Sequence, residues 1–193
     1  MAHIFHADKL REIAKNSAGV LQESSNQILK SASTHFSYAK KYDIFLSHSF
    51  KDAQVILGLK LFLESLNLSV YVDWIDDRQL DRSYVNTTTA DVIRTRMKNC
   101  KTLILASSYV TPDSKWVPWE IGYFDGINGR IAILPITEQK MSSETYIGQE
   151  YLGLYSYAVD DGSQKQIWIQ NSPNEYISIR DWVKGENPYE RGA

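Results

Sequence analysis

Four short, nearly continuous apolar runs punctuate the middle of the chain, at residues 42–47, 68–73, 102–107 and 130–136. A strand with one wet face alternates in polarity. A continuous apolar run needs cover on both faces. Helix-period segments separate the runs. Val55, Ile56, Leu59, Phe62, Leu63 and Leu66 recur at helical spacing, Ile93 and Met97 do so within 89–99, and a short helix is expected over 119–127. Ser49, with Asp52 three places on, resembles a capping box that opens the first of these helices. Strand-helix alternation of this kind specifies an α/β fold with a parallel sheet. Right-handed crossovers then make a doubly wound, flavodoxin-like arrangement the simplest topology.

The flanks are weaker. Leu10, Ile13, Val20, Leu21 and Ile28 lie near one helical face over 8–30, interrupted by Gly19, and 31–41 is polar. Residues 1–41 therefore read as an N-terminal helical extension, 42–136 as the core, and 137–193 as a C-terminal extension packed on or near it. Residues 155–159 and 166–169, joined through Asp160-Asp161-Gly162, predict a β-hairpin. Residues 176–183 fit a last strand or a short helix. Formal charge runs +3, −1 and −4 across the three segments. Such offsets fit solvated surface. They also fit a basic N-terminal arm meeting an acidic C-terminal region, in the same chain or a neighbouring subunit.

Several classes lose support. No apolar run approaches the ~18 residues that span a bilayer, and the N-terminus lacks a basic segment followed by an apolar one. Cys100 is the only cysteine, which suits a reducing compartment. A cytoplasmic protein is expected, bound to neither membrane nor nucleic acid, since a net charge of −2 gives no general pull toward anionic polymers. There is no Gly-rich phosphate loop, no Cys/His cluster at zinc spacing and no Gly-x-Ser-x-Gly elbow. His3 and His6 are too weak a pair to suggest a metal, and none is expected.

In an open parallel sheet, ligands bind at the carboxyl ends of the strands. The first core run ends at Ser47-His48-Ser49-Phe50, the second at Asp73-Trp74, the third at Ser107-Ser108-Tyr109. The segment after the third leads through Trp116 and Trp119 to Glu120 near a helix start. Each candidate also has a plainer structural reading. Glu120 could bond a backbone amide or an arginine. Trp116 could be a packing anchor, His48 a strand cap and Asp73 a loop cap. Asp43 reads as structural, Trp119 as core and Cys100 as a buried small apolar residue.

Tyr42-Asp43-Ile44-Phe45-Leu46-Ser47-His48-Ser49 with Asp52 resembles the opening box of a TIR domain. Ile104-Leu105-Ala106-Ser107-Ser108-Tyr109, followed by Ser114-Lys115-Trp116-Val117-Pro118-Trp119-Glu120-Ile121, resembles its later box. The resemblance covers about residues 42–136, and the Trp116-x-x-x-Glu120 spacing is similar to that of enzymatic bacterial members. It implies cleavage of NAD, as substrate and without a cofactor, at the nicotinamide–ribose bond. Glu120 would be the catalytic residue, with Ser47, His48, Ser49, Phe50, Trp116 and Asp73 around the substrate. Water, the adenine ring or another nucleophile would capture the ribose, giving ADP-ribose, a cyclic isomer or a conjugate. The resemblance further implies a homo-oligomer through TIR–TIR contacts. A product sensed by a separate effector would follow, as in Thoeris-type antiphage systems. The charged loop 75–83, without Gly or Pro, departs from the family pattern. A non-catalytic TIR adaptor and a nucleoside deoxyribosyltransferase-like enzyme are the competing readings.

Overall fold

A computed structural model describes residues 3–17, 40–48, 52–77, 86–108, 114, 116–138, 150–162 and 165–191. Strand β1 (Phe5–His6) runs into helix α1 (Ala7–Asn16). Then follow β2 (Tyr42–His48), α2 (Ala53–Ser65), β3 (Val70–Tyr71), α3 (Asp73–Asp76), α4 (Thr87–Lys98) and β4 (Cys100–Ser108). Next are α5 (Val117–Ile127), β5 (Ile131–Thr137) and a 3-10 turn at Glu150–Leu154. The chain closes with β6 (Ser156–Asp160), β7 (Ile167–Ser172), β8 (Glu175–Ser178), α6 (Ile179–Lys184) and β9 (Tyr189–Glu190).

The sheet order is β3-β2-β4-β5-β6-β7-β8-β9, with β1 also on β5. The first five are parallel neighbours and the last three antiparallel. Taken as the core strands alone, this is the doubly wound flavodoxin-like order. Period-two alternation sends Ile44, Leu46, Ile104 and Leu134 to one face, under α1, α2 and α6. It sends Phe45, Leu103, Leu105 and Ile133 to the other, under α4 and α5. That two-sided burial is the reason the strands read as continuous apolar runs.

The structure corrects several expectations. The second strand is only two residues long, and Asp73 opens a short helix instead of ending a strand. Asp52 itself caps α2: its carboxylate accepts from the Gln54 and Val55 amides at 2.9 and 3.4 Å. No capping box is needed to explain that helix start. Residues 176–183 are both strand and helix. The hairpin at 155–169 forms, with Gly162 at φ +82° supplying a turn conformation that other residues resist. Helix α1 stops at Asn16, and the rest of the expected 8–30 helix lies outside the described residues.

The flanks join the sheet and its core. β1 slots beside the end of β5, pairing Phe5 with Ile136 and His6 with Thr137. Phe5, Ala7 and Leu10 enter the same apolar cluster as α2 and α6. Gly58 permits this: a Cβ there would overlap the Leu10 carbonyl oxygen. His6 caps α1, its Nδ1 accepting from the Asp8 amide at 3.3 Å. The basic arm does meet acidic residues of the C-terminal region in the same chain. Arg11 bonds Glu138 and Lys9 stands 3.9 Å from Asp160. Among the described residues no helix is long and apolar enough to cross a membrane.

Candidate active site

The carboxyl end of β2 places Ser47 and His48 on opposite faces, because they are consecutive strand residues. Ser47 turns toward α5, where its hydroxyl donates to Glu120 Oε2 at 2.6 Å. Glu120 is fully buried and Ser47 is 1% exposed. A neutral donor this close to a carboxylate is a charge-assisted hydrogen bond. Glu120 thus has a side-chain partner from the other box of the sequence. The Glu120 carboxylate is enclosed at the carboxyl edge of the sheet.

Local sequence sets the glutamate's place. Ser114 Oγ accepts from the amides of Trp116 and Val117, both at 3.3 Å, just ahead of α5. Pro118 sits in the first turn, where its missing N–H costs nothing. Glu120 follows in that same turn, where the helix end favours an anion. Trp116 packs into the α5-side core at 7% exposure. Its ring meets Trp119 edge-on at 5.5 Å, and Trp119 stacks on Tyr123 at 5.8 Å. Trp119, expected in the core, is only partly buried against it.

His48 turns toward Asp73, with Nε2 3.6 Å from Oδ1. That nitrogen is buried without a hydrogen bond. Asp73 is 5% exposed. The structure therefore brings together two pairs at one strand end, Ser47 with Glu120 and His48 with Asp73. Ser49 and Phe50 lie outside the described residues, as does most of the charged 75–83 loop.

Sequence reasoning missed a buried ionic network below this edge. Arg96 on α4 donates Nε to Asp77 Oδ2 at 2.7 Å and Nη2 to Oδ1 at 2.8 Å. Tyr71 donates its hydroxyl to the same Oδ2 at 2.8 Å. Asp77, in the charged run 75–83, is wholly buried. Its hydrogen bond raises the Arg96 pKa, against the effect of burial. Burial, then the Asp77 charge, pushes the Tyr71 hydroxyl up. One residue earlier, Asp76 accepts the Val72 amide at 2.8 Å and lies 3.6 Å from Lys60. Asp76 and Asp77 together pin α3 and the Asp73 it carries. Only spatial proximity reveals these pairs, since Asp77 and Arg96 are nineteen residues apart.

Asp43 is structural, accepting from Ser69 and pairing with Lys101. Cys100 is buried at the start of β4, and burial pushes its thiol up. A polar hollow of about 370 Å³ opens at the amino end of the sheet, by Arg130, Ser156, Asn171 and Asn187. It is at the wrong edge for ligand chemistry in a doubly wound sheet, so the site is assigned to the carboxyl edge.

The fold and site define a doubly wound α/β domain with a buried serine–glutamate pair at the carboxyl edge of its sheet. The chain belongs to the family described as Thoeris protein ThsB, TIR-like domain, which it matches over residues 45–142. It is 48% identical over 166 residues to a Bacillus cereus (strain MSX-D12) protein named "Probable 3' cyclic ADP-D-ribose synthase ThsB'", covering 84% of this chain and 86% of that one. It is also 34% identical over 85 residues to a Cytobacillus dafuensis protein named "Putative cyclic ADP-D-ribose synthase TIR2". That match covers 44% of this chain and 22% of the relative.

Proposed function

We propose that this chain is a cytoplasmic TIR enzyme of Thoeris antiphage defence. It cleaves NAD between nicotinamide and ribose and closes the remainder into a cyclic ADP-ribose signal, which a separate effector reads. The observation that carries the reading is the buried Ser47–Glu120 pair at the carboxyl edge. The names of the two relatives support the cyclic product.

In this reaction the C–N glycosidic bond breaks and nicotinamide leaves with its electron pair. Positive charge develops at the ribose anomeric carbon. Glu120 opposes that charge from a low-dielectric position, where a fixed carboxylate acts more strongly than in water. Ser47 holds the carboxylate in one orientation. A nucleophile of the same molecule then bonds the anomeric carbon and releases a proton, so that NAD⁺ yields cyclic product, nicotinamide and H⁺. His48, Asp73 and Trp116, with Ser49 and Phe50, serve substrate binding, and contacts between copies of the domain assemble the active form.

The test is chromatography of NAD incubated with wild type and with Glu120→Gln. Wild type should release nicotinamide and a cyclic ADP-ribose isomer. The variant should still fold, since glutamine keeps the size and an oxygen that can accept from Ser47, and should release nicotinamide about a hundred- to thousand-fold more slowly. Wild-type protein that leaves NAD intact in every assembled state would refute the reading.

A further inference from the structure

Arg11 lies on α1, outside the strand-helix core read from the sequence, yet it reaches both margins of the candidate site. Its Nε donates to Asp52 Oδ2 at 2.8 Å. Nη1 donates to Asp8 Oδ1 at 2.8 Å and to Glu138 Oε2 at 2.9 Å. Nη2 donates to Glu138 Oε1 at 2.7 Å. Glu138 is thus gripped fork to fork, a geometry a lysine cannot reproduce.

The partners are placed meaningfully. Asp52 is the N-cap of α2, and only three residues separate it from His48 at the end of β2. Glu138 directly follows the last residue of β5. Both stand at the carboxyl edge that holds Ser47 and Glu120. Arg11 therefore ties the entry of α2 to the exit of β5, and α1 is itself held by the Leu10–Gly58 approach and by β1. Arg11, Asp52 and Glu138 are 25%, 32% and 53% exposed. Ion pairs so exposed add little to global stability. Their value lies in where they fix the chain.

We propose that Arg11 is a positioning residue for the active site: by holding Asp52 and Glu138 it sets the two chain segments that bound the substrate. The kinetic side of this proposal rests on the NAD-cleaving reading; the structural side does not. Asp52 follows His48 by only four positions in the sequence, so holding Asp52 limits where the end of β2 can lie. Glu120 is held independently by Ser47. Loss of Arg11 should therefore weaken substrate binding more than it slows the bond cleavage.

The experiment compares full-length Arg11→Ala, Arg11→Lys, Glu138→Gln and the Arg11→Ala/Glu138→Gln pair with wild type. Ile93→Val, in the α4 core, is the control for a mild loss of stability. Nicotinamide release from NAD gives KM and kcat, and hydrogen exchange follows the Gln54 and Val55 amides that Asp52 caps. Arg11→Ala should raise KM roughly tenfold with kcat within about threefold, the split expected when binding alone is lost. The two amides should exchange at least about threefold faster in that variant, because local opening is read directly by exchange. Arg11→Lys should fall between it and wild type. Adding Arg11→Ala to Glu138→Gln should cost less than adding it to wild type, since the residues share one interaction. Ile93→Val should move none of these. An unchanged KM, or one matched by the control, with wild-type exchange at Gln54 and Val55 overturns the proposal. If wild type cleaves no NAD, that reading fails separately, and unchanged exchange in Arg11→Ala still overturns the clamp.

Discussion

The Ser47 hydroxyl bonds Glu120 at 2.6 Å across seventy-three residues of sequence, with both side chains buried. Each group explains the other. The serine gives a buried carboxylate the donor it needs, and the carboxylate occupies a strand-end hydroxyl that would otherwise be desolvated for nothing. Ser47→Ala removes the donor but leaves the charge. Hydrogen bonds to charged groups contribute about 1.5–3 kcal/mol to the folded state, so the variant should melt lower, and nicotinamide release should fall because Glu120 is no longer held in one orientation. Steady-state rates on NAD check this. Full activity in Ser47→Ala would mean that the serine only fills space.

The Arg96–Asp77 pair predicts a stability effect. Arg96→Ala leaves Asp77 as a buried, unpaired charge and should cost about 3–5 kcal/mol. The double variant Arg96→Met/Asp77→Leu should be closer to wild type than Arg96→Ala, because it removes both charges and keeps the volume. Urea denaturation of the three proteins decides. A double variant weaker than Arg96→Ala would show that Tyr71, which also bonds Asp77, depends on the carboxylate.

The strand-helix core is legible in the sequence because two-sided burial writes itself into composition: Ile44, Phe45 and Leu46 are all buried. The Glu120 environment is legible through its flanking box, but its partner Ser47 is not, since sequence does not say which strand-end hydroxyl reaches which helix. Asp76 and Asp77 stand in a charged run and are not solvated. A run of charges ordinarily is, and nothing local distinguishes carboxylates that meet Tyr42, Lys60 and Arg96 in space. The N-terminal helix reads as an extension because Leu10, Ile13, Val20, Leu21 and Ile28 make only a thin stripe. Its burial is completed by β1 beside β5 and by the bare backbone of Gly58, which no hydrophobic pattern records.

Acid should destabilise the fold through Asp43 and Asp52. Burial pushes each carboxyl up, but Lys101 and Ser69 around Asp43, and Arg11 with the Gln54 and Val55 amides around Asp52, hold both below the ordinary value. The unfolded chain then binds protons first. The stabilisation is complete above the unfolded value, about 3.9, and is lost as pH falls from there through the folded values. Asp160 behaves oppositely. Burial raises its carboxyl despite the Gly162 amide, so its stabilising contribution is present below the unfolded value and lost as pH rises through the folded one. Urea unfolding across acidic pH should show a shallower acid limb for Asp52→Asn, which can still cap α2. Asp160→Asn should instead steepen that limb. Parallel curves for all three proteins would contradict the assignment.

The N-terminal segment should prove indispensable to folding. Phe5, Ala7, Leu10 and Ala14 are all at most 4% exposed. Deleting residues 1–17 would uncover α2 and the carboxyl end of β5 that β1 pairs, leaving an apolar face and unpaired backbone groups. The truncated chain should aggregate or bind a hydrophobic dye. A graded version avoids that extreme. Gly58→Ala puts a methyl group where the Leu10 carbonyl now stands. Backbone cannot swing aside as a side chain can, so α1 must lift from α2. Overpacking of this kind costs about 1–3 kcal/mol, occasionally more. Thermal melting should fall accordingly, although alanine is the better helix former by about 1 kcal/mol and would raise it at an open site. Gly122, in α5, is such a site: a methyl group there would meet nothing within 4 Å. Gly122→Ala should therefore leave stability equal or higher while Gly58→Ala lowers it. Equal effects from the two substitutions would mean that α1 does not sit on Gly58 in solution.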